Sequence, residues 1–334
     1  MQRRILTYHP LLGHLFIPNI WARIPHEGRA YVVRTNALGL RADVDYRPHG
    51  LTGKRRILVF GDSFSAADGV SNAFRFSDLL QAWGTDLEVL NFALPGSGTD
   101  QQFLMYQELG ASFSADAVLL CPLIENIRRN IAHFRLVVDE GGRAGLVPRP
   151  RYRLDGRGAL ELCGVPVPRL WIPLEEADPE LLRRTDLGGA FFRARRVLSH
   201  IPGVREWGVR LGVYRPFPQY ERTGDPAWRL MRAILRRWID VIPCPVILAP
   251  LPTWHVIETE RPPSYLERFR ELEMRPRVRV ADVLPAFRRL SPVERRACRF
   301  RRDIHPTPRG HAIIARALLP EIDACLRENA RPHP

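Results

Sequence analysis

The sequence predicts an α/β fold with a mostly parallel sheet covered by helices on both faces. The chain has 334 residues, 45% of them hydrophobic and 26% charged, which is typical of a globular protein. Short continuous apolar runs end in glycine or polar residues, as buried parallel strands do. Segments with helical periodicity separate these runs. Because strands alternate with helices, the connections are expected to cross over between parallel neighbours.

Five apolar runs predict the strands of this sheet. Each is too short for a helix and is rich in Val, Ile and Leu. They lie at residues 57–60, 87–92, 117–122, 245–251 and 278–283.

Helix starts follow several of these runs. Thr99 and Gln102 have the spacing of a capping box. Asp225-Pro226 and Thr307-Pro308 each pair an N-cap residue with a proline in the first turn. The second of the three helices carries an apolar stripe at helical spacing, which predicts a core-facing side rather than a binding surface. The stripe comprises Trp228, Met231, Leu235, Trp238 and Ile242.

Two regions depart from this alternation. Residues 1–52 predict an irregular or β-rich arm, with a candidate strand at residues 31–35. Residues 133–222 form an insertion that divides the α/β core into residues 53–132 and 223–330. Turn signals at 140–142 and 155–156 predict hairpins in its first half, and residues 179–212 are expected to be mostly helical. The insertion is expected either to cap the carboxyl edge of the sheet or to decorate the surface.

Charge and cysteine content exclude several classes of protein. The net charge is +14, but only one of the 50 basic residues, Lys54, is a lysine, which indicates a coding bias toward arginine. Neither a zinc finger, a basic zipper nor an RNA-binding signature accompanies the basicity, so we expect no nucleic-acid partner. The five cysteines are widely spaced without CxxC, which argues against disulfides and structural zinc.

The apolar segment at residues 11–22 does not predict a membrane span. It has twelve residues, including His14 and Pro18, whereas a spanning helix needs about 20 apolar residues. It also lacks the uninterrupted core of a secretory signal. A cytoplasmic location is the default expectation, and the oligomeric state is left open.

A serine follows the first predicted strand. In Gly61-Asp62-Ser63 the hydroxyl is expected at the top of the sheet, where a nucleophile is useful. The nucleophile elbow of α/β-hydrolases requires glycine at position 65, which is serine here. The tripeptide alone is equally consistent with a turn and a helix cap.

A potential base lies near the end of the chain. A nucleophilic serine needs a neutral imidazole to take its proton, and the imidazole needs a carboxylate to fix its tautomer. Asp303 and His305 stand two residues apart just before the last helix. His311 is a rival base, although a partly buried histidine at a helix start is the simpler interpretation.

Two further segments are candidates for stabilising an oxyanion. The second strand ends in a glycine-rich loop at residues 91–98, in which Gly96 presents a backbone N–H without steric hindrance. Asn126 follows the third strand and offers an amide donor. The loop is not a dinucleotide fingerprint, because Gln101 replaces its third glycine, and it lacks the Gly-Lys of a phosphate-binding loop.

Together these blocks resemble the SGNH (GDSL) hydrolase superfamily, with markers at Ser63, Gly96, Asn126 and His305, from about Lys54 to Leu326. The resemblance implies a three-layer α/β/α sandwich with a mostly parallel, five-stranded, flavodoxin-like sheet. It also implies serine-dependent esterase chemistry, with Ser63 as nucleophile, His305 as base and Asp303 as its orienting carboxylate. The amides of Ser63 and Gly96, with Asn126, would form the oxyanion hole.

The sequence departs from the common family pattern in two blocks. The third block reads Ile124-Glu125-Asn126-Ile127, where many members have Gly-x-Asn-Asp. One residue separates Asp303 from His305, where many members have two.

These residues lead us to expect hydrolysis of an acyl ester by an acyl-enzyme mechanism. By family analogy alone, the substrate is expected to be an O-acetyl group on a carbohydrate. No metal or organic cofactor is required, and Asp62, Trp254 and His255 are candidate pocket residues.

Two alternatives remain at the sequence level. One is an O-acyltransferase that uses the same triad. The other is a noncatalytic module that binds a carbohydrate or an anion. An arginine run before Asp303 is compatible with an acidic ligand, but a solvated surface is the simpler interpretation. The run comprises Arg295, Arg296, Arg299, Arg301 and Arg302.

Overall fold

A five-stranded parallel sheet forms the centre of the molecule. The structure is a computed structural model, which describes residues 5–51, 53–186, 217–259, 263–275 and 277–329 of the chain. The strand order 2-1-3-4-5 is that of a flavodoxin-like, doubly wound sheet, so the predicted fold class is confirmed. In spatial order the strands are β6 (Leu87–Asn91), β5 (Arg55–Gly61), β7 (Ala117–Cys121), β13 (Val246–Leu248) and β14 (Val278–Val280).

Helices flank the sheet and follow its strands. Among them, α2 (Phe76–Trp83) packs on α11 (Pro308–Glu328), and α3 (Thr99–Glu108) packs on α6 (Pro226–Val241). The α-helices of the described residues are α1 (Ser63–Ala66), α2 (Phe76–Trp83), α3 (Thr99–Glu108), α4 (Asn126–Arg129), α5 (Pro179–Arg183), α6 (Pro226–Val241), α7 (Trp254–Ile257), α8 (Ser264–Arg270), α9 (Leu284–Arg288), α10 (Pro292–Ala297) and α11 (Pro308–Glu328). In the described part of the chain, none of them has the length and apolar character that crossing a bilayer requires.

All three predicted helix starts are confirmed, and two of them have the predicted cap. The Asp225 carboxylate accepts a hydrogen bond from the N–H of Ala227, and the Thr307 hydroxyl accepts one from Gly310. The capping box at Thr99 is wrong, because Gly98 is the N-cap and Thr99 is already helical. The amide of Asp100 instead donates to Asn130 Oδ1 at 3.3 Å, so a distant side chain supplies the cap.

Two β-hairpins form the N-terminal arm. The first joins β1 (Leu6–His9) to β2 (Gly13–Phe16), and the second joins β3 (Trp21–His26) to β4 (Arg29–Arg34). The arm is not separate from the core. Its second hairpin buries Ile24 and Tyr31 in a cluster that includes Ala66, just after the predicted nucleophile.

The described part of the insertion is mainly antiparallel β-structure. One sheet has the order β12 (Ile172–Pro173), β9 (Ala144–Pro148) and β8 (Phe134–Val138), and β10 (Arg151–Leu154) pairs with β11 (Leu160–Cys163). Both predicted hairpins are therefore present. Of the helical segment predicted at 179–212, α5 is observed, and residues 187–212 lie outside the described residues.

Candidate active site

Ser63 is the first residue of α1, directly after the buried strand β5. The Asp62 carboxylate caps this helix by accepting a hydrogen bond from the N–H of Phe64 at 2.9 Å. Gly61 is required for the tight turn, because a Cβ there would lie 2.1 Å from Ser65 Oγ. The strand-to-helix turn therefore fixes the Ser63 hydroxyl at the carboxyl edge of the sheet.

The structure brings Ser63, His305 and Asp303 together in one hydrogen-bonded chain. His305 Nε2 lies 2.8 Å from Ser63 Oγ, although the residues are 242 positions apart. On the other side of the ring, Nδ1 lies 2.6 Å from Asp303 Oδ1. Because a carboxylate accepts, Nδ1–H donates to Asp303 and leaves Nε2 free to accept the serine proton.

Nearby carboxylates adjust the acidity of His305. Burial lowers its pKa, but the hydrogen bond to Asp303 and the negative charges of Asp68, Asp303 and Asp62 outweigh burial, so the pKa is raised above 6.5. Asp68 Oδ2 lies 4.0 Å from Nε2. An imidazolium at His305 is therefore stabilised by the negative charge of Asp303 on the Nδ1 side of the ring and of Asp68 on the Nε2 side.

Asp303 remains a carboxylate. Burial would raise its pKa, but the hydrogen bonds from the His305 ring and backbone, with the charge of an imidazolium, bring its pKa below the ordinary value. It is thus ionised over the range in which His305 titrates.

Asn126 is a buried side chain at the start of α4, as the predicted third block requires. Its side chain is fully buried at the first position of α4, and Arg129 Nη1 lies 3.3 Å from its Oδ1. A guanidinium only donates, so Oδ1 must face Arg129 and the amide nitrogen must face away. Among the described residues, that nitrogen has no hydrogen-bond partner.

The loop after β6 places Gly96 in the left-handed region, with a φ of 69°. Glycine adopts this conformation without steric cost, whereas other residues are strained there. A Cβ at this position would also lie 2.4 Å from the guanidinium carbon of Arg135. The left-handed backbone is therefore what requires glycine here, and the contact shows how closely the Arg135 guanidinium covers Gly96.

Arg129 was not predicted from the sequence. Its Nη1 lies 2.6 Å from Asp62 Oδ2 and 3.1 Å from the carbonyl oxygen of Ser97, in addition to its contact with Asn126. One buried guanidinium therefore links three of the sequence blocks around Ser63. Its position one helical turn after Asn126 is the only signal of this role in the sequence.

The N-terminal arm contacts the helix that carries Ser63 through Arg41. This fully buried guanidinium donates to the carbonyl oxygens of Ala66 and Ala67 at 2.6 and 2.7 Å. These carbonyls end helix α1, where the helix dipole favours a positive charge. The sequence contains no motif that marks this contact.

The turn between β3 and β4 supports the carboxylate of the triad. Glu27 accepts hydrogen bonds from the backbone N–H groups of Arg301 and Arg302. The adjacent His26 places its Nε2 3.5 Å from Asp303 Oδ2. The loop that carries Asp303 is thus held by residues about 275 positions earlier in the chain.

His311 is not placed to act as the base. Its ring is fully buried and stacks near Phe76, and burial lowers its pKa to about 3. The interpretation of His311 as a packed histidine at a helix start therefore fits the structure.

The predicted pocket residues are absent from the lining of the largest described cavity, as are Ser63 and His305 themselves. Asp62 is fully buried and has the capping role described above. Trp254 is also buried, packs on Phe287 and donates through Nε1 to the carbonyl of Ile304 at 2.6 Å, which steadies the loop before His305. His255, next to it on α7, is absent from the cavity lining as well.

The arginine run serves the fold in at least two places. Arg295 donates to the carbonyls of Leu290 and Arg288, and Arg299 lies 3.3 Å from Glu258. In the ranges that the structure describes, no group of three or more His, Cys, Asp or Glu side chains is arranged to hold a metal ion.

A cavity of about 1170 Å³ opens between the arm and the insertion. From the core, Asp68 and Pro95 line it; Asp68 Oδ2 lies 4.0 Å from His305 Nε2, and Pro95 precedes Gly96 in the chain. The arm contributes residues such as His14 and Tyr31, and the insertion contributes residues of strands β8 and β9. The described part of the insertion therefore forms a wall of a cavity that reaches neighbours of His305 and Gly96.

No protein-family model matches the sequence, and no curated protein matches it. Solved structures with a similar fold include a member of the lipolytic G-D-S-L family from Veillonella parvula, with 11% identity over 80% of this chain and 97% of that one and a TM-score of 0.39. Another is LAE5, an alpha/beta hydrolase enzyme from the metagenome of Lake Arreo, with 16% identity, coverage of 83% and 98%, and a TM-score of 0.43. A catalytic mutant of the acetylxylan esterase Axe2 from Geobacillus stearothermophilus has 17% identity, coverage of 81% and 95%, and a TM-score of 0.40.

Proposed function

We propose that this protein is a serine-dependent ester hydrolase of the SGNH type. The observation that carries the proposal is the continuous chain from Ser63 Oγ through the His305 imidazole to the Asp303 carboxylate, with contacts of 2.8 and 2.6 Å. A nucleophile, a base and a group that orients the base are the three roles that acyl transfer to serine needs.

In the proposed mechanism, Ser63 Oγ attacks the ester carbonyl while His305 Nε2 takes the hydroxyl proton. The negative charge that develops on the carbonyl oxygen is stabilised by the amide nitrogen of Asn126 and the backbone N–H groups of Ser63 and Gly96. His305 then gives its proton to the departing alcohol, which leaves an acyl group on Ser63. Water, deprotonated by the same histidine, releases the acid and restores the serine.

The buried and unpartnered amide nitrogen of Asn126 adds support to this proposal. Leaving a buried donor without an acceptor costs about 1–3 kcal/mol, so such groups usually have a functional reason. A transient oxyanion would be that acceptor. We propose an O-acyl ester as substrate, with acetyl esters of carbohydrates as the first to assay on the basis of the family resemblance.

The test is covalent labelling by a fluorophosphonate, which reacts with an activated serine. We expect the wild-type protein to be labelled at Ser63 and Ser63→Ala to remain unlabelled. Ser65→Ala is the matched control, because it removes a hydroxyl from the same helix and should leave labelling intact. Absence of labelling in the wild type, or labelling that persists in Ser63→Ala, would contradict the proposal and favour a noncatalytic binding module.

An acyltransferase would share the first half of this mechanism. The two activities differ only in the acceptor that attacks the acyl-enzyme. Incubating the protein with an acetyl donor, with and without sugars, and identifying the products therefore distinguishes them. We expect free acetate in both cases. Acylated sugar as the main product would instead assign the transferase activity.

A further inference from the structure

Arg135 is placed at the junction of the cavity and the proposed oxyanion loop. It lies on strand β8 of the insertion, and its guanidinium covers Gly96 closely enough that a Cβ there would be 2.4 Å from the guanidinium carbon. It also lines the large cavity, together with His14 and Pro95. A group bound beside this guanidinium would therefore lie near an ester held at Ser63.

Arg135 makes no direct salt bridge in the described part of the chain, although the charges of Asp186 and Asp68 act on it from a greater distance. Its Nη1 lies 2.8 Å from Nε2 and 3.3 Å from Nδ1 of His14. Burial lowers the pKa of His14 to about 3, so that ring is neutral. Burial also lowers the pKa of Arg135, to about 10, which still leaves the guanidinium protonated at neutral pH.

The other arginines that line the cavity are either paired with a carboxylate or exposed to solvent. Arg149 is paired with the buried Asp100 at 2.7 Å, and Arg143 is paired with Asp139 at 2.8 Å. Arg169 is exposed and stacks over the ring of Tyr8. Of the two carboxylates whose charges reach Arg135, Asp186 lies 3.8 Å from Arg129 and Asp68 lies 4.0 Å from His305. Among the described residues neither forms a salt bridge with Arg135. A desolvated charge without a carboxylate in direct contact is costly, so an anion that enters the cavity is favoured beside Arg135.

We infer that Arg135 binds an anionic group of the substrate, a carboxylate or a phosphate, so that the enzyme prefers esters that carry a negative charge close to the scissile bond. The inference rests on the proposed function of Ser63. The planar guanidinium fork matches both groups, because it can donate two parallel hydrogen bonds to their oxygens.

Matched pairs of esters test this preference and locate the charge. For an anion on the alcohol side, 4-acetoxybenzoate is compared with neutral 4-acetoxybenzamide. For an anion on the acyl side, mono-4-nitrophenyl glutarate is compared with 4-nitrophenyl butyrate. We expect kcat/KM to favour the anionic member of at least one pair, and that pair identifies the side of the ester that faces Arg135.

The variant Arg135→Gln should remove this preference. We expect kcat/KM for the anionic ester to fall about 10- to 100-fold, as for the loss of a charged hydrogen bond, and the neutral ester to be affected much less. Arg135→Lys should retain part of the preference. Arg153→Gln is the control, because Arg153 lies on the other hairpin of the insertion and is paired with Glu161. An equal loss for both esters would overturn the inference and assign Arg135 to the oxyanion, and an unchanged ratio would also overturn it.

Binding to the Ser63→Ala protein separates this inference from the proposed function. In calorimetric titrations with both pairs of esters, the anionic member of at least one pair should bind much more tightly than its neutral partner, and Arg135→Gln should abolish the difference. This measurement does not require catalysis. Equal binding of the two members in both pairs, or a difference that is unchanged by Arg135→Gln, would overturn the inference even if Ser63 is the nucleophile.

Discussion

The α/β core and the peripheral β-structure contribute different things to the candidate active site. The core supplies the three hydrogen-bonded side chains, Ser63, His305 and Asp303, at the carboxyl edge of its sheet. The arm and the insertion supply the cavity walls and contacts that hold the core groups in position. Under the proposed function, the chemistry would lie on the sheet, and its alignment and selectivity would depend on segments outside it.

This division gives each region a distinct expected phenotype. Changes in the core should affect the rate of bond breaking or the stability of the fold. Changes in the periphery should act through alignment of the triad or through the choice of substrate.

The largest effect is expected from Arg129→Met within the core. It leaves the buried Asp62 carboxylate without its partner, which typically costs about 3–5 kcal/mol in the free energy of unfolding. Urea unfolding followed by tryptophan fluorescence measures this loss. The double variant Asp62→Asn/Arg129→Met should recover much of it, because no uncompensated charge remains. A single variant that unfolds at the wild-type urea concentration would show that this contact does not link the core blocks.

Asn126→Ala tests the core chemistry itself. Loss of one oxyanion donor should lower kcat about 10²- to 10³-fold, equivalent to about 2.7–4 kcal/mol, with little change in KM. Steady-state kinetics on an acetyl ester, with circular dichroism to verify folding, provide the measurement. A decrease in kcat of less than tenfold would contradict the proposed role of Asn126 in the oxyanion hole.

Glu27→Ala tests whether the arm acts on the core. It removes the acceptor for two backbone N–H groups in the loop before Asp303, so we expect kcat to fall about tenfold, on the scale of one or two hydrogen bonds. The fluorophosphonate labelling rate should fall in parallel. Glu176→Ala, which removes another exposed carboxylate, is the control. If the two variants behave alike, the arm does not align the triad.

The smallest effect is expected from Asp68→Asn, seen as a shift in pH dependence. His305 must be neutral to act as the base, so activity should rise with pH through a midpoint above 6.5, the ordinary value for histidine. Removing the Asp68 charge destabilises the imidazolium, so the pKa of His305 and the midpoint should move to lower pH. Asp86→Asn, in an exposed ion pair with Arg55 just before β6, should leave the midpoint unchanged. A midpoint that stays in place or moves upward in Asp68→Asn would contradict the contact with His305.

The fold was predictable because its signals are local. Continuous apolar runs identify buried parallel strands, and Asp225 and Thr307 mark helix starts through their own side chains. The error at Thr99 shows the limit of this approach. There the side-chain oxygen of Asn130 accepts the hydrogen bond from the Asp100 amide, although the two residues are thirty positions apart. Local spacing contains no information about such a contact.

Only those residues of the candidate site that stand in local sequence motifs could be predicted from the sequence. Ser63 and His305 stand in recognisable blocks, and the sheet edge brings the blocks together. Arg41, Glu27 and Arg135 act through tertiary contacts across many residues, in a chain where arginine is too abundant to be informative. Asp62 was a candidate pocket residue, and the structure shows its carboxylate buried against Arg129, a tertiary contact that its sequence block does not indicate.

The hydrogen bonds of Glu27 to the Arg301 and Arg302 backbone limit how far the polypeptide can be shortened. A shortened protein that begins at Lys54 would retain all five sheet strands and the side chains of Ser63, His305 and Asp303. It would lose the hydrogen bonds of Glu27 to the segment before Asp303 and those of Arg41 to the carbonyls at the end of helix α1. Engineers who graft new loops onto this scaffold should therefore retain residues 5–51 together with the core.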